Sequence, residues 1–87
     1  MFSLVLIVGC SPAEGTAEWH LDQGNKLVDQ GRLDEAISEY DEAIRLDPQD
    51  ATVYYKRGLT YYHLGQFERA LKDYSKAVSL DPKFDPR

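Results

Sequence analysis

Displaced by 34 positions, this chain lies over itself without a gap, so that residues 17–50 fall on residues 51–84. The identical pairs are Ala17/Ala51, Gly24/Gly58, Gly31/Gly65, Ala36/Ala70, Tyr40/Tyr74, Ala43/Ala77, Leu46/Leu80, Asp47/Asp81 and Pro48/Pro82. Leu33/Phe67, Asp34/Glu68, Ile37/Leu71, Glu39/Asp73 and Ile44/Val78 are conservative matches. A duplication of this period restricts the fold severely. Each copy is one small unit, too short to bury its own apolar face, and the core must run between copies.

Each copy reads as two helices. Residues 17–30 contain no proline and carry Leu21, Leu27 and Val28 at near-helical spacing. Gly31 interrupts them, being able to enter the left-handed region that ends a helix. A second helix opens at Leu33 with Asp34 and Glu35 at its positive end, and Ile37, Tyr40, Ala43 and Ile44 form its apolar stripe. Asp47-Pro48 closes it, because proline disfavours helical backbone in the residue before it. The second copy predicts helices over 52–64 and 67–80, separated by Gly65 and closed by Asp81-Pro82. Gly24, Ala36 and Ala43, with Gly58, Ala70 and Ala77, fall where paired helices pass closest, and Tyr40 and Tyr74 fill the space between layers.

The period and the Gly-x₂-Tyr…Ala-x₃-Phe/Tyr…Pro spacing resemble the tetratricopeptide repeat. The second copy matches with Gly58, Tyr61, Ala70, Tyr74, Ala77 and Pro82, and with Tyr54 as the opening aromatic. The first copy keeps Gly24, Ala36, Tyr40, Ala43 and Pro48. It departs at His20, in the opening aromatic position beside Trp19, and at Leu27 in place of the tyrosine. The resemblance covers about four fifths of the chain and implies an all-α fold. That fold is two antiparallel helix-turn-helix units, residues 17–50 and 51–84, stacked as an α-solenoid, with residues 85–87 starting a third unit or forming a tail.

In that family the first helices of successive units line a concave, peptide-binding groove. Carried over by position, the groove here takes Glu18, Leu21, Asp22, Asn25, Val28 and Asp29 from unit one. Thr52, Tyr55, Lys56, Leu59, Tyr62 and His63 come from unit two. The residues expected to do most are Asp22, Asn25, Asp29, Tyr55, Lys56, Leu59, Tyr62 and His63. Asn25 can donate and accept, Lys56 can meet a carboxylate, and the tyrosines offer contact area at low entropy cost. Packing between helices is the equal alternative for each tyrosine. Some family members clamp a chaperone's C-terminal carboxylate. Here Asn25 fits that clamp, but Leu21 stands in place of its lysine and Lys56 in place of its second asparagine, so the clamp is disfavoured.

The first sixteen residues differ. Residues 2–8 are nearly all apolar and too few for a membrane span, which needs roughly 17–25 residues, but they suit the end of a signal-peptide apolar region. Ile7-Val8-Gly9-Cys10 resembles the lipobox of bacterial lipoproteins, and the resemblance implies acylation at Cys10 and anchorage in a bacterial envelope membrane. Residues 11–16 then read as a tether. The alternatives are a frayed or packed apolar terminus with an inert Cys10, and a cytoplasmic adaptor or co-chaperone.

Fifteen acids against ten bases, net −5, argue against a basic nucleic-acid binder. The single cysteine excludes a disulfide scaffold, and His20 and His63 lack metal-ligand spacing. No phosphate loop or nucleophile constellation is present, so the expectation is no cofactor, no metal and no catalysis. The expected partner is a protein or peptide. The copies differ in charge: ten acids and three bases in residues 17–50, three acids and six bases in 51–84. Head-to-tail self-association is therefore a further expectation, through a last helix whose Leu71, Tyr74, Val78 or Leu80 lacks a cover. Solvated faces that meet no partner are the alternative.

Overall fold

The computed structural model describes residues 12–86. Four helices follow one another: α1 (Ala17–Asp29), α2 (Leu33–Leu46), α3 (Ala51–His63) and α4 (Phe67–Leu80), with a 3₁₀ turn at Pro82–Phe84. Each packs on the next, and among the described residues there is no strand. The all-α, twice-repeated hairpin read from the duplication is the fold observed. Cys10 and its apolar run lie outside the described residues.

The helix ends follow local chemistry. Thr16 caps α1, its hydroxyl accepting from the Trp19 amide at 3.1 Å. Thr16 also bonds back to the Ala13 carbonyl, so the end of the 11–16 segment belongs to the start of α1. Asp50 caps α3 by accepting from the Thr52 amide at 3.0 Å, which starts that helix one residue earlier than expected. Gly31 and Gly65 take φ of +78° and +81°. There the Arg32 amide reaches the Leu27 carbonyl and the Gln66 amide the Tyr61 carbonyl, both at 2.9 Å, closing the same left-handed cap twice. Asp47 and Asp81, each before a proline, are extended and end α2 and α4.

The small residues set the helix spacing. Ala36, Ala43 and Ala77 are wholly buried and Ala70 nearly so. A Cβ on Gly24 would stand 2.5 Å from Tyr40 Cε1, so only glycine lets α1 and α2 close around that ring. Tyr40 is 1% exposed and joins Ala36, Ala43 and Val53 in one cluster, which Leu21, Leu27, Val28 and Ile44 flank. Ala51, Tyr54 and Ala77 form a second cluster, and Ile44 packs on both. The core therefore runs from one copy into the other.

The far end is open only in part. Phe67 and Leu71 are 58% and 59% exposed, and among the described residues α4 packs only on α3 and on the 3₁₀ turn. Tyr74, Val78 and Leu80 are half-buried instead of uncovered. The 3₁₀ turn explains this: it seats the Phe84 ring 5.0 Å from Tyr55 and against the cluster that holds Leu80.

Candidate functional site

α1 and α3 lie side by side on α2, and a hollow of about 290 Å³ opens between them. Asn25, Val28 and Asp29 line it from α1, Tyr40 from α2, and Lys56, Leu59, Thr60 and His63 from α3. Val28, Leu59 and the Tyr40 ring make an apolar floor. The polar groups stand around it, and this mixture suits a site that grips an apolar body and orients it by a few polar contacts.

The floor is rigid because its polar atoms are used. The Tyr40 hydroxyl donates to Asn25 Oδ1 at 2.7 Å. The Asn25 amide nitrogen keeps its two hydrogens for a ligand. Thr60 is 2% exposed and its hydroxyl donates to the Lys56 carbonyl at 2.9 Å. Burial pushes the Tyr40 phenol up to about 12, against the Thr60 hydroxyl beside it and with the Asp29 charge adding to the rise. Tyr40 is thus a neutral donor at any ordinary pH. Among the described residues Lys56 and Asp29 are in no ion pair, so both charges are available to an incoming chain.

The structure divides the eight residues singled out in the sequence. Asn25, Asp29, Lys56, Leu59 and His63 converge on the hollow. Asp22 lies outside it, paired with Lys26 at 3.3 Å one turn along α1. Tyr55 turns toward the C-terminal end, where its ring packs on Tyr74 and Phe84 and lines a separate, mostly apolar hollow with Val78 and Pro86. Tyr62 is 54% exposed, with its ring edge-on to Phe67 at 5.3 Å and to His63 at 5.9 Å. One continuous aromatic strip is therefore not formed. Tyr40 and Thr60 line the hollow and were not singled out as site residues. Their second-helix and inner-face positions read as packing, and only the hydroxyls on both would have suggested more.

A second polar assembly holds the copies together. Arg57 makes two bonds of 2.8 Å to Asp73 on α4 and one of 2.8 Å to Asp41 on α2. Its guanidinium also faces the Tyr54 and Tyr61 rings at 5.9 and 5.7 Å. Asp73 is 5% exposed, and the two carboxylates hold the guanidinium well above its ordinary range. The Arg57–Asp41 pair crosses from the basic copy to the acidic one, so part of the charge asymmetry is used inside the molecule. In unit one the matching tie is His20 Nδ1 to Glu39 Oε1 at 2.7 Å, with Trp19 edge-on to the His20 ring at 5.0 Å. Among the described residues no three His, Cys, Asp or Glu converge as a metal-ligand set, and no helix is long and apolar enough to cross a membrane.

A family model described as TPR repeat matches residues 24–65, and one described as tetratricopeptide repeat matches residues 51–84. The chain is built of tetratricopeptide repeats. Among solved structures it is similar to MamA, with a TM-score of 0.79 and 31% identity over 80% of this chain and 41% of that one. It is also similar to the second tetratricopeptide domain of Spaghetti bound to an HSP90 peptide, with a TM-score of 0.76 and 30% identity over 77% of this chain and 62% of that one. In sequence it is 43% identical over 49 residues to the Hsp70-Hsp90 organizing protein of Triticum aestivum, 56% of this chain and 8% of that protein. The repeats span a tenth or less of the length of such relatives. Tetratricopeptide repeats are in general non-catalytic interaction modules, and in the Spaghetti domain the same arrangement is bound to an HSP90 peptide.

Proposed function

We propose that the hollow between α1 and α3 is where this module takes a segment of a partner protein, and that the module acts as an adaptor without catalysis. The observation that carries this is the convergence of an apolar floor with the unpaired Lys56 and Asp29 and the Asn25 amide. An apolar side chain would enter over Val28 and Leu59, with an acidic neighbour on Lys56 and a backbone carbonyl on Asn25. Peptides selected from a random display library on the wild-type chain test it. Such peptides are expected to bind at least tenfold more weakly to Lys56→Glu and to Leu59→Asp. Equal affinity for all three chains would refute the groove.

Attachment to a bacterial envelope through Cys10 is part of the same proposal, and it rests on the apolar run of residues 2–8 and on Ile7-Val8-Gly9-Cys10 at its end. Mass spectrometry of the protein made in a bacterium should find an acylated Cys10 at the N-terminus. An intact Met1 with a free thiol would remove the anchor.

A soluble cytoplasmic adaptor of chaperones is the second reading, favoured by the similarity to Hsp70-Hsp90 organizing proteins and to a domain bound to an HSP90 peptide. Against it, Leu21 and Lys56 replace two polar residues of the carboxylate clamp. Titration with the peptide SRMEEVD separates the two readings. Micromolar binding that Asn25→Ala abolishes would establish the chaperone reading, and millimolar binding would dismiss it.

A further inference from the structure

The hollow between α1 and α3 has walls of opposite charge. α1 carries three acids, Glu18, Asp22 and Asp29, and one lysine, Lys26, which is paired with Asp22 and lines a different hollow with Gln23 and Gln30. α3 carries no acid, and its Arg57 is turned away to Asp41 and Asp73. Asp29 therefore faces the site from one wall and Lys56 from the other. Asp29 is also the last residue of α1, at the negative end of the helix dipole, where an acid works against the helix. Its counterpart His63 ends α3 with a residue type that the dipole favours. The stability of α1 thus gives no reason for an acid at this rim. A cation arriving there meets the carboxylate and the negative helix end together.

The Tyr40 hydroxyl fixes the register between the walls, because it meets Asn25 of α1 and Thr60 of α3. α1 and α3 both run antiparallel to α2 and so in the same direction. Lys56 stands one turn before Thr60, and Asp29 one turn after Asn25. Along the helices the two charges are thus about 12 Å apart. That is too far for them to pair with each other, and Val28 and Leu59 lie between them. An extended chain covers about 13 Å in four residues, and its side chains i, i+2 and i+4 share one face.

We infer that the segment taken here is extended and of mixed charge: an acid, an apolar residue two positions on, and a base two positions beyond that, in either chain direction. The acid meets Lys56, the apolar side chain covers Val28 and Leu59, and the base meets Asp29 at the rim. The Asn25 amide, its oxygen held by Tyr40, donates to a backbone carbonyl of the segment. This rests on the hollow being the binding site, as proposed above, and adds which segments it takes. A segment with two acids or two bases around the same apolar residue leaves one wall facing its own sign.

The test is selection of peptides from a random display library on three full-length chains, the wild type, Asp29→Lys and Lys56→Glu. Asp29 is exposed, and lysine suits a helix end better than aspartate does, so the first variant should unfold at no lower temperature. The wild type should enrich an acid and a base four positions apart around an apolar residue. Asp29→Lys should enrich two acids there, and Lys56→Glu two bases. A wild-type peptide should bind Asp29→Lys at least tenfold more weakly and recover when its base is changed to glutamate. Peptides that Leu59→Asp releases but that carry no such charge pair, or that bind Asp29→Lys as tightly as the wild type, would overturn the mixed-charge inference and leave the groove standing. Peptides indifferent to Leu59→Asp, or no enrichment on the wild type, would overturn the groove itself.

Discussion

Tyr40 and Tyr74 occupy the same position of two hairpins with helices of the same lengths, yet one is sealed and the other is half-open. Tyr40 has α1 on one side and α3 on the other, with Asn25 and Thr60 at its hydroxyl. Tyr74 has α3, with the Tyr55 ring, on one side and only the edge of a 3₁₀ turn on the other. What differs is the neighbour and not the hairpin. In a stacked array, stability and exposure belong to the interface between units more than to the units themselves.

The contrast can be broken or sharpened by substitution, read in each case by urea unfolding. Tyr40→Ala should have the largest effect, about 3–5 kcal/mol, because it empties a sealed site. Tyr74→Ala should remove about 1–2 kcal/mol, since a half-exposed ring loses less buried area. Equal losses would mean that the two ends are equivalent. Asp73→Asn should cost about 3 kcal/mol, for it leaves the Arg57 guanidinium against a neutral, nearly buried partner. Glu39→Gln, at a more exposed tie in unit one, should cost about 1 kcal/mol.

Two glycine substitutions probe the close approach of the helices. Gly24→Ala drives a methyl into Tyr40, which is held on all sides, and should cost about 2 kcal/mol. Gly58→Ala meets Tyr74 at 2.9 Å, and that ring has room to move outward, so about 1 kcal/mol is expected. A further effect is alkaline. The Tyr40 phenol is raised in the fold, so its contribution is complete below its unfolded value near 10 and is lost as pH rises toward about 12. Tyr40→Phe should lose about 1 kcal/mol at neutral pH with its hydrogen bond, and should flatten the decline above pH 10. A decline of the same size in the variant would assign it to other groups.

Much of the fold could be read from the chain because its determinants are local and duplicated. Gly31 and Gly65 mark the turns, Pro48 and Pro82 the ends, and the paired alanines the contact lines. The hollow was legible where first-helix positions face it, as for Asn25, Asp29, Lys56, Leu59 and His63. It was not legible where a side chain chooses between two neighbours. Tyr55 could face the groove or the open end, and the Phe84 ring behind it decides the matter. Arg57 was missed because its counterpart is Gln23, and its two acids lie on different helices, 16 residues away in either direction. Thr16 and Asp50 are caps by residue type, but the duplication does not mark them, since Thr16 falls on Asp50 and Asp50 on Phe84.

Native-state hydrogen exchange bears most directly on the central claim, that α2 is held from both sides and α4 from one. The amides of residues 36–44 should exchange only with global unfolding, and those of residues 70–78 should exchange faster, through openings that leave α1–α3 intact. Equal protection of the two segments in the free chain would contradict the account.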